Sequence, residues 1–300
     1  MTADPAAPSG FRHALVTGAS TGIGRATAQR LAADGCHVFA AVRRDGDGAA
    51  LTATDPTGRL TPVLLDVTDP AQVAAAAATV EGHTGAAGLD VLVDNAGIGV
   101  AAPVEVVALA DLRRQLEVNV VGLVAATQAL LPAVRRARGS VVLIGSIGDR
   151  VTMPFAGPLV ASKRAVAGLA DALRLELAPW GVRVVLVEPG SIATAAAGKL
   201  ERNAQVVTEA LTGEQRALYG AAFDGLVTRA LARERAGSPP EAVAEVISRA
   251  VRSPRPRARY LVGRDARRLA LVGRLPVRVQ DALLRRVTGL PAPRSLVVGK

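Results

Sequence analysis

Three hundred residues, half of them apolar, are enough for one large α/β domain with a sizeable core, which excludes a generally disordered chain. The net charge of +10 suggests nucleic acid until it is located: from Arg249 onward many arginines and Lys300 face only Asp265 and Asp281, and the rest of the chain is near neutral. Aromatic residues, at 2%, offer few stacking platforms for bases, so no nucleic-acid partner is expected.

The segment "MTADPAAPSG" lacks a basic-then-apolar signal pattern, and the longest apolar stretch, Val118 to Val134, is interrupted by Asn119, Gln128 and Pro132. A cytoplasmic protein is expected, with residues 1–11 as a flexible N-terminus. Cys36 is alone, so no intrachain disulfide can form. His13, His37 and His83 show no metal-ligand spacing, so no metal site is expected.

Short β-branched runs alternate with helical patterns along the chain. "HALVT" (13–17) reads as the first strand and 22–34 as a helix; "CHVFAAV" (36–42) and "TPVLLD" (61–66) follow, then a helix at 70–82 whose Ala-rich 74–78 carries no function. "LDVLVD" (89–94), a helix at 105–137, "SVVLIG" (140–145), a helix at 159–179, "VRVVLVE" (182–188), a helix at 239–252 and "RYLVG" (259–263) complete the series. The pattern predicts a single α/β domain over 12–263, a doubly wound, parallel, seven-stranded sheet of Rossmann type. Residues 190–238 hold no strand pattern; an insertion after a late strand lies at the carboxyl edge of the sheet, so a substrate lid is expected there. Residues 264–300 form a basic extension. Its segment 264–290, broken by Pro276, predicts two short amphipathic helices that would pack on the domain or a partner subunit, or lie on an anionic bilayer surface.

"VTGASTGIGRA" follows the first strand and opens the first helix, the context in which a glycine-rich turn binds a dinucleotide. Gly18 permits the tight turn, Gly22 lets backbone approach a pyrophosphate, Gly24 lets helix and strand pack closely, and the helix N-terminus presents free N–H groups. Ser20 and Ile23 lie in the same turn. After the second strand, Arg43 and Arg44 stand where arginine would meet the 2′-phosphate of NADP, so NADP is the preferred cofactor; NAD stays open because Thr21 takes the place of a basic residue before the second glycine.

The G-x-x-x-G-x-G spacing resembles the short-chain dehydrogenase/reductase family, and the resemblance runs from about His13 to Gly263. "LDVTD" puts Asp66, with Val67, where the family meets the adenine ring. "DNAG" stands for the usual Asn-Asn-Ala-Gly, with Asn95, Ala96 and Gly97 matching and Asp94 departing. The resemblance implies catalytic roles for Asn119, Ser146 and Lys163, with Lys163 also binding the nicotinamide ribose. "EPGSIAT" would cradle the nicotinamide end through Pro189, Gly190, Ile192 and Thr194. It implies an oxidoreductase acting on an alcohol or ketone, and a homo-oligomer is expected.

Four residues before Lys163 and thirteen after Ser146 the family carries a tyrosine acid, and here Leu159 occupies that position by both counts. Leucine has no proton to give, and losing a positioned acid costs about 10² to 10⁴ in rate. Tyr219 in the lid, an ordered water between Ser146 and Lys163, and Asp149, if burial raised its pKa against the influence of Arg150, are the available substitutes. Leu159 beside "VTMPFAG" favours a small apolar substrate. A dinucleotide-binding protein without turnover, or an enzyme repurposed for cyclisation or isomerisation, are the competing functions.

Overall fold

Residues 12–288 are described by the computed structural model; the expected N-terminal segment 1–11 and residues 289–300 lie outside the described residues. The first half runs β1 (His13–Val16), α1 (Gly22–Ala33), β2 (His37–Val42), α2 (Asp45–Thr52), β3 (Leu60–Leu64), α3 (Pro70–Thr84) and β4 (Val91–Asp94). Then come α4 (Leu109–Leu116), α5 (Gly122–Ala137), β5 (Ser140–Ile144), α6 (Gly157–Leu177) and β6 (Arg183–Pro189). The remainder is α7 (Ala196–Ala210), α8 (Gly213–Gln215), α9 (Ala221–Arg235), α10 (Pro240–Arg252), β7 (Arg259–Val262), α11 (Ala266–Val272) and α12 (Val277–Thr288).

All seven strands are parallel, in the order β3-β2-β1-β4-β5-β6-β7. Because both faces of a parallel sheet are covered by crossover helices, its strands read as nearly continuous apolar runs. Leu15, Phe39, Leu92, Leu143 and Leu186 point to the side of α3, α5 and α6. Val16, Ala40, Val93, Val142 and Val187 point to the side of α1 and α10, where Leu31, Val243 and Ile247 meet them. Each fully buried Leu or Ile contributes about 1.5–3 kcal/mol. The strand order reverses between β1 and β4, and a crevice opens there at the carboxyl edge.

Two helices differ from the sequence reading. The helix expected at 105–137 begins at Leu109 and is interrupted by a π-helical turn, Glu117–Val121, which carries Asn119. The whole run Leu109–Arg136 is long and apolar enough by composition to cross a membrane, yet it packs on the sheet and buries Gln115 and Asn119. The short helix α2 escapes sequence reading because Gly46 and Gly48 weaken its pattern; a Cβ at Gly48 would lie 2.7 Å from Pro62 on β3, so close packing demands the glycine.

The three histidines, distant in sequence, meet at the amino edge of the sheet. His37 stacks on His83 with ring centroids 4.3 Å apart, His13 stands edge-on to His83 at 5.6 Å, and His37 Nε2 lies 3.1 Å from Thr61 Oγ1. Among the described residues no group of three or more His, Cys, Asp or Glu is arranged to hold a metal ion. Burial lowers the pKa of His13 and His37, and proximity to His83 lowers both further; Asp90 opposes the effect at His13, while Arg59 adds to it at His37. The fold therefore favours the neutral rings, and stability present above the unfolded value near 6.5 is lost as pH falls through it. The urea midpoint should drop between pH 7.5 and 5.5, and His37→Gln should flatten that drop; an equal drop in the variant would locate the acid sensitivity elsewhere.

Candidate active site

The glycine-rich turn is fixed by hydrogen bonds to the strand across the reversal. Thr17, fully buried, accepts from the backbone N–H groups of Asn95 (2.9 Å) and Ala96 (3.0 Å), and Asn95 Nδ2 donates to the carbonyls of Thr17 (2.9 Å) and Gly18 (3.2 Å). Gly18 and Gly22 take φ of +65° and +56°, and a Cβ at Gly24 would lie 2.2 Å from the Gly18 carbonyl oxygen. Gly22 faces Thr194, 3.2 Å from the position of its missing Cβ, so the turn and the segment after β6 enclose one groove. Thr21 makes no side-chain capping bond, which leaves the α1 N–H groups beside half-buried Ser20 and Ile23 open to an anion. This cradle, too narrow for any side chain, fits the pyrophosphate of a dinucleotide.

At the next strand ends lies a cleft of about 420 Å³, lined by Arg43, Asp66, Thr68, Arg113, Arg114, Glu117 and Val118. Asp66 Oδ1 accepts from Thr68 N (3.0 Å) and Oγ1 (2.7 Å), which fixes the turn that carries Val67. The structure separates the two arginines that the sequence placed together. Arg43 lines the cleft, whereas Arg44 forms a fork on Asp47 with both contacts at 3.0 Å and is mostly exposed. Arg113 and Arg114 of α4, which sequence reasoning missed, supply further positive charge.

Asn119 is fully buried in the π-helical turn. Its Oδ1 accepts from Ile98 N (2.8 Å), and its Nδ2 donates to Ile98 O (2.9 Å) and Ser162 Oγ (3.0 Å). Gln115, one turn earlier and equally buried, accepts from Val100 N (2.7 Å) and donates to Ile98 O (2.9 Å). The pair clamps the loop after β4, which includes Gly97, and ties it through Ser162 to α6. The i, i+4 spacing of Gln115 and Asn119 on one apolar helix was the available signal.

Ser146 caps the turn after β5, accepting from Gly148 N at 3.0 Å, so its own hydroxyl proton remains free to donate. Lys163 Nζ donates to the Ile144 carbonyl at 2.7 Å, and burial lowers its pKa to about 8. Leu159 sits half-buried in the first turn of α6, one turn before Lys163, facing Gly99. Beyond β6, Gly190 leaves room for Asp265, which accepts from Ser191 N (3.1 Å) and Oγ (2.6 Å), while Ile192 bridges to Ser238; Pro189 ends the strand.

Residues 190–238 form the helices α7, α8 and α9 and join the loops around the crevice. Asn203 Nδ2 donates to Gly99 O (3.3 Å), and Phe155, at φ +61°, stands edge-on to Phe223 at 5.6 Å. Tyr219 donates its hydroxyl to Glu105, whose carboxylate raises the phenol's pKa. This tyrosine is thus committed to a carboxylate, which opposes release of its proton.

Asp149 departs from expectation. Burial, then neighbouring Glu188, raise its pKa to about 7 against the opposing charges of Arg150 and Arg259, while Arg150 forms a fork on fully buried Glu188 at 2.8 and 2.7 Å. Arg259 on β7 holds Asp149 (3.1 Å), Glu188 (3.3 Å) and Asp171 of α6 (2.6 Å) together. The cluster secures the turn that follows Ser146, and a carboxyl engaged by Arg259 serves it as a structural anchor.

The short chain dehydrogenase family model matches residues 12–205. The chain is 38% identical over 257 residues to the NADPH-dependent 3-dehydrocapnine reductase of Ornithobacterium rhinotracheale, covering 84% of this chain and 88% of that protein. It is 33% identical to retinol dehydrogenase 16 of Mus musculus, covering 91% of this chain and 87% of the other. The crystal structure of a short-chain dehydrogenase from Streptomyces avermitilis superposes with a TM-score of 0.74 at 29% identity, covering 95% of this chain and all of that one.

Asp94 ends β4 fully buried, with Thr127 Oγ1 donating to one oxygen at 2.8 Å. Burial raises its pKa from 3.8 to about 7, so the fold favours the protonated carboxyl, an analogue of asparagine in shape and donor capacity. Between these two values the folded state binds the extra proton, and stability is lost as pH rises from 3.8 through 7. Asp94→Asn should therefore raise the urea midpoint at pH 8 and leave it nearly unchanged at pH 4.5; a variant less stable at pH 8 would overturn this account.

Proposed function

Because the chain belongs to the short-chain dehydrogenase/reductase family, we propose that it is an NADP(H)-dependent oxidoreductase interconverting an alcohol and a ketone on an apolar molecule, with proton delivery altered by Leu159. The observation that carries this reading is Lys163: a buried ammonium with lowered pKa, on the backbone of the strand that leads to Ser146, beside the dinucleotide groove. The turn of Gly18 and Gly22, kept tight by Gly24, would hold the pyrophosphate, Lys163 the nicotinamide ribose, and Ile192 and Thr194 the nicotinamide end. When bound, the nicotinamide supplies or takes the electron pair. Ser146 donates its free hydroxyl proton in a hydrogen bond to the substrate oxygen. The proton itself would come from Lys163, relayed through water to the substrate oxygen. Half-buried Phe155 and Leu159 support an apolar substrate, in keeping with the retinol named for one relative.

Preference for NADPH rests on Arg43 in the cleft beside Arg113 and Arg114, and on the NADPH dependence named for the 38% identical reductase. A charge-assisted hydrogen bond contributes about 1.5–3 kcal/mol, so Arg43→Ala should lower the ratio of NADPH to NADH affinity about tenfold or more. Arg44→Ala, whose side chain is committed to Asp47, should change it less than threefold. Fluorescence titration with both cofactors decides; equal effects of the two variants would place the phosphate on Arg44 as well.

A dinucleotide-binding protein without turnover is the second reading, and Leu159 is the observation that favours it. The two separate on Leu159→Tyr, which puts a phenol one helical turn from Lys163. Reduction of an apolar ketone should rise about 10²-fold, the contribution of a positioned acid. In the unaltered protein, single-turnover reduction should slow as pH rises through about 8, where Lys163 loses its proton. No gain from the tyrosine, with NADPH binding intact, would hand the site to the second reading.

A further inference from the structure

The C-terminal helices are anchored by their inner faces. Ala266 and Ala270 of α11 are buried, Ala270 against Ile147 and Val151, and Gly273 lets the chain pass the Arg150 backbone, 2.5 Å from the position of its missing Cβ to the Arg150 oxygen. On α12, Leu284 joins the same cluster, Thr288 is buried, and Arg229 of the lid helix α9 donates to the Thr288 carbonyl. Five aliphatic side chains remain outside: Leu271 is 62% and Val277 70% exposed, with Leu275, Val279 and Leu283 exposed alongside them. Between them stand the exposed Arg267, Arg268, Arg274, Arg278 and Arg286, with Asp281 as the one exposed acid on the two helices and the turn between them.

We propose that this exposed surface of α11, the turn after it and α12 docks on the surface of an anionic lipid bilayer. Aliphatic side chains that alternate with arginines suit the boundary between acyl chains and headgroups: the aliphatics enter the apolar layer while each guanidinium reaches outward to a phosphate. Self-association through this face is disfavoured, since an isologous contact would bring the same five arginines of each copy together. The patch adjoins α9, so docking would set the lid beside the apolar layer, from which an apolar substrate could enter. The inference stands independently of the oxidoreductase reading.

The test is co-sedimentation of the full chain with vesicles of phosphatidylcholine alone or with 30% phosphatidylglycerol, at low and high salt. At least tenfold more protein should be recovered with the anionic vesicles at low salt. Arg274→Glu with Arg278→Glu should abolish most of that gain. Val277→Ser with Val279→Ser, which leave the charge unchanged, should reduce it at least threefold and remove the part that survives high salt. Thermal melting and NADPH titration of each variant show whether the fold and cofactor site are intact. Equal recovery on both vesicles overturns the proposal. So does anionic binding indifferent to all four substitutions, which would be diffuse attraction of a basic protein. Concentration-dependent self-association that Val277→Ser with Val279→Ser disrupts would assign the patch to a second copy and overturn it likewise.

Discussion

The structure depends on one close approach, that of the turn after β1 to the start of the loop after β4. Gly24 sits where any side chain would collide with the Gly18 carbonyl and Asn95, and Thr17 and Asn95 lock the two loops with four short hydrogen bonds. These bonds satisfy backbone groups at the carboxyl edge, where the strands have ended and no ladder can do so. Because β1 and β4 flank the reversal of strand order, the same lock closes the sheet centre and shapes the dinucleotide groove. The loop it fixes leads directly into Ile98, which Asn119 and Gln115 hold, and Ser162 carries the linkage on to the helix of Lys163 and Leu159. The turn after β1, the loop after β4 and the start of α6 are thus one hydrogen-bonded unit.

The fold was legible because its signals are local and repeated. Seven apolar runs spaced by helices specify a parallel sheet, and each β-strand was placed within a residue or two. Glycine positions were legible for the same reason, since backbone conformation is a property of a few neighbouring residues. What stayed hidden is set by partners distant in sequence. Arg43 and Arg44 are indistinguishable in the chain, and only the fork to Asp47 parts them. Asp149 looked neutralised by adjacent Arg150, but the guanidinium found a deeper carboxylate on β6, and burial then governed the aspartate. Arg113 and Arg114 read as ordinary solvated helix charge until the strand ends were brought beneath them.

Two buried groups at the site show the same electrostatic logic with opposite signs. Asp94 meets no counter-ion and holds its proton; Lys163 has a backbone carbonyl as its partner and loses its proton more readily than a free lysine. Neither is neutralised by a salt bridge, unlike the arginines on Glu188 farther along the sheet. An ammonium on a half-buried side chain with one carbonyl acceptor has N–H donors left over for a ligand.

Those spare donors give Lys163 a use that does not depend on a tyrosine. The ribose hydroxyls of a bound dinucleotide would accept from them, so cofactor binding would complete a partly satisfied group instead of burying a new one. Leu159 takes away the phenol whose ionised form the ammonium would have stabilised, but it leaves the lysine's second task intact. Burial alone brings the pKa of Lys163 to about 8, within reach of a proton transfer near neutral pH. On the proposed reading, the acid-base work would then fall to the amine one turn behind the position of the phenol.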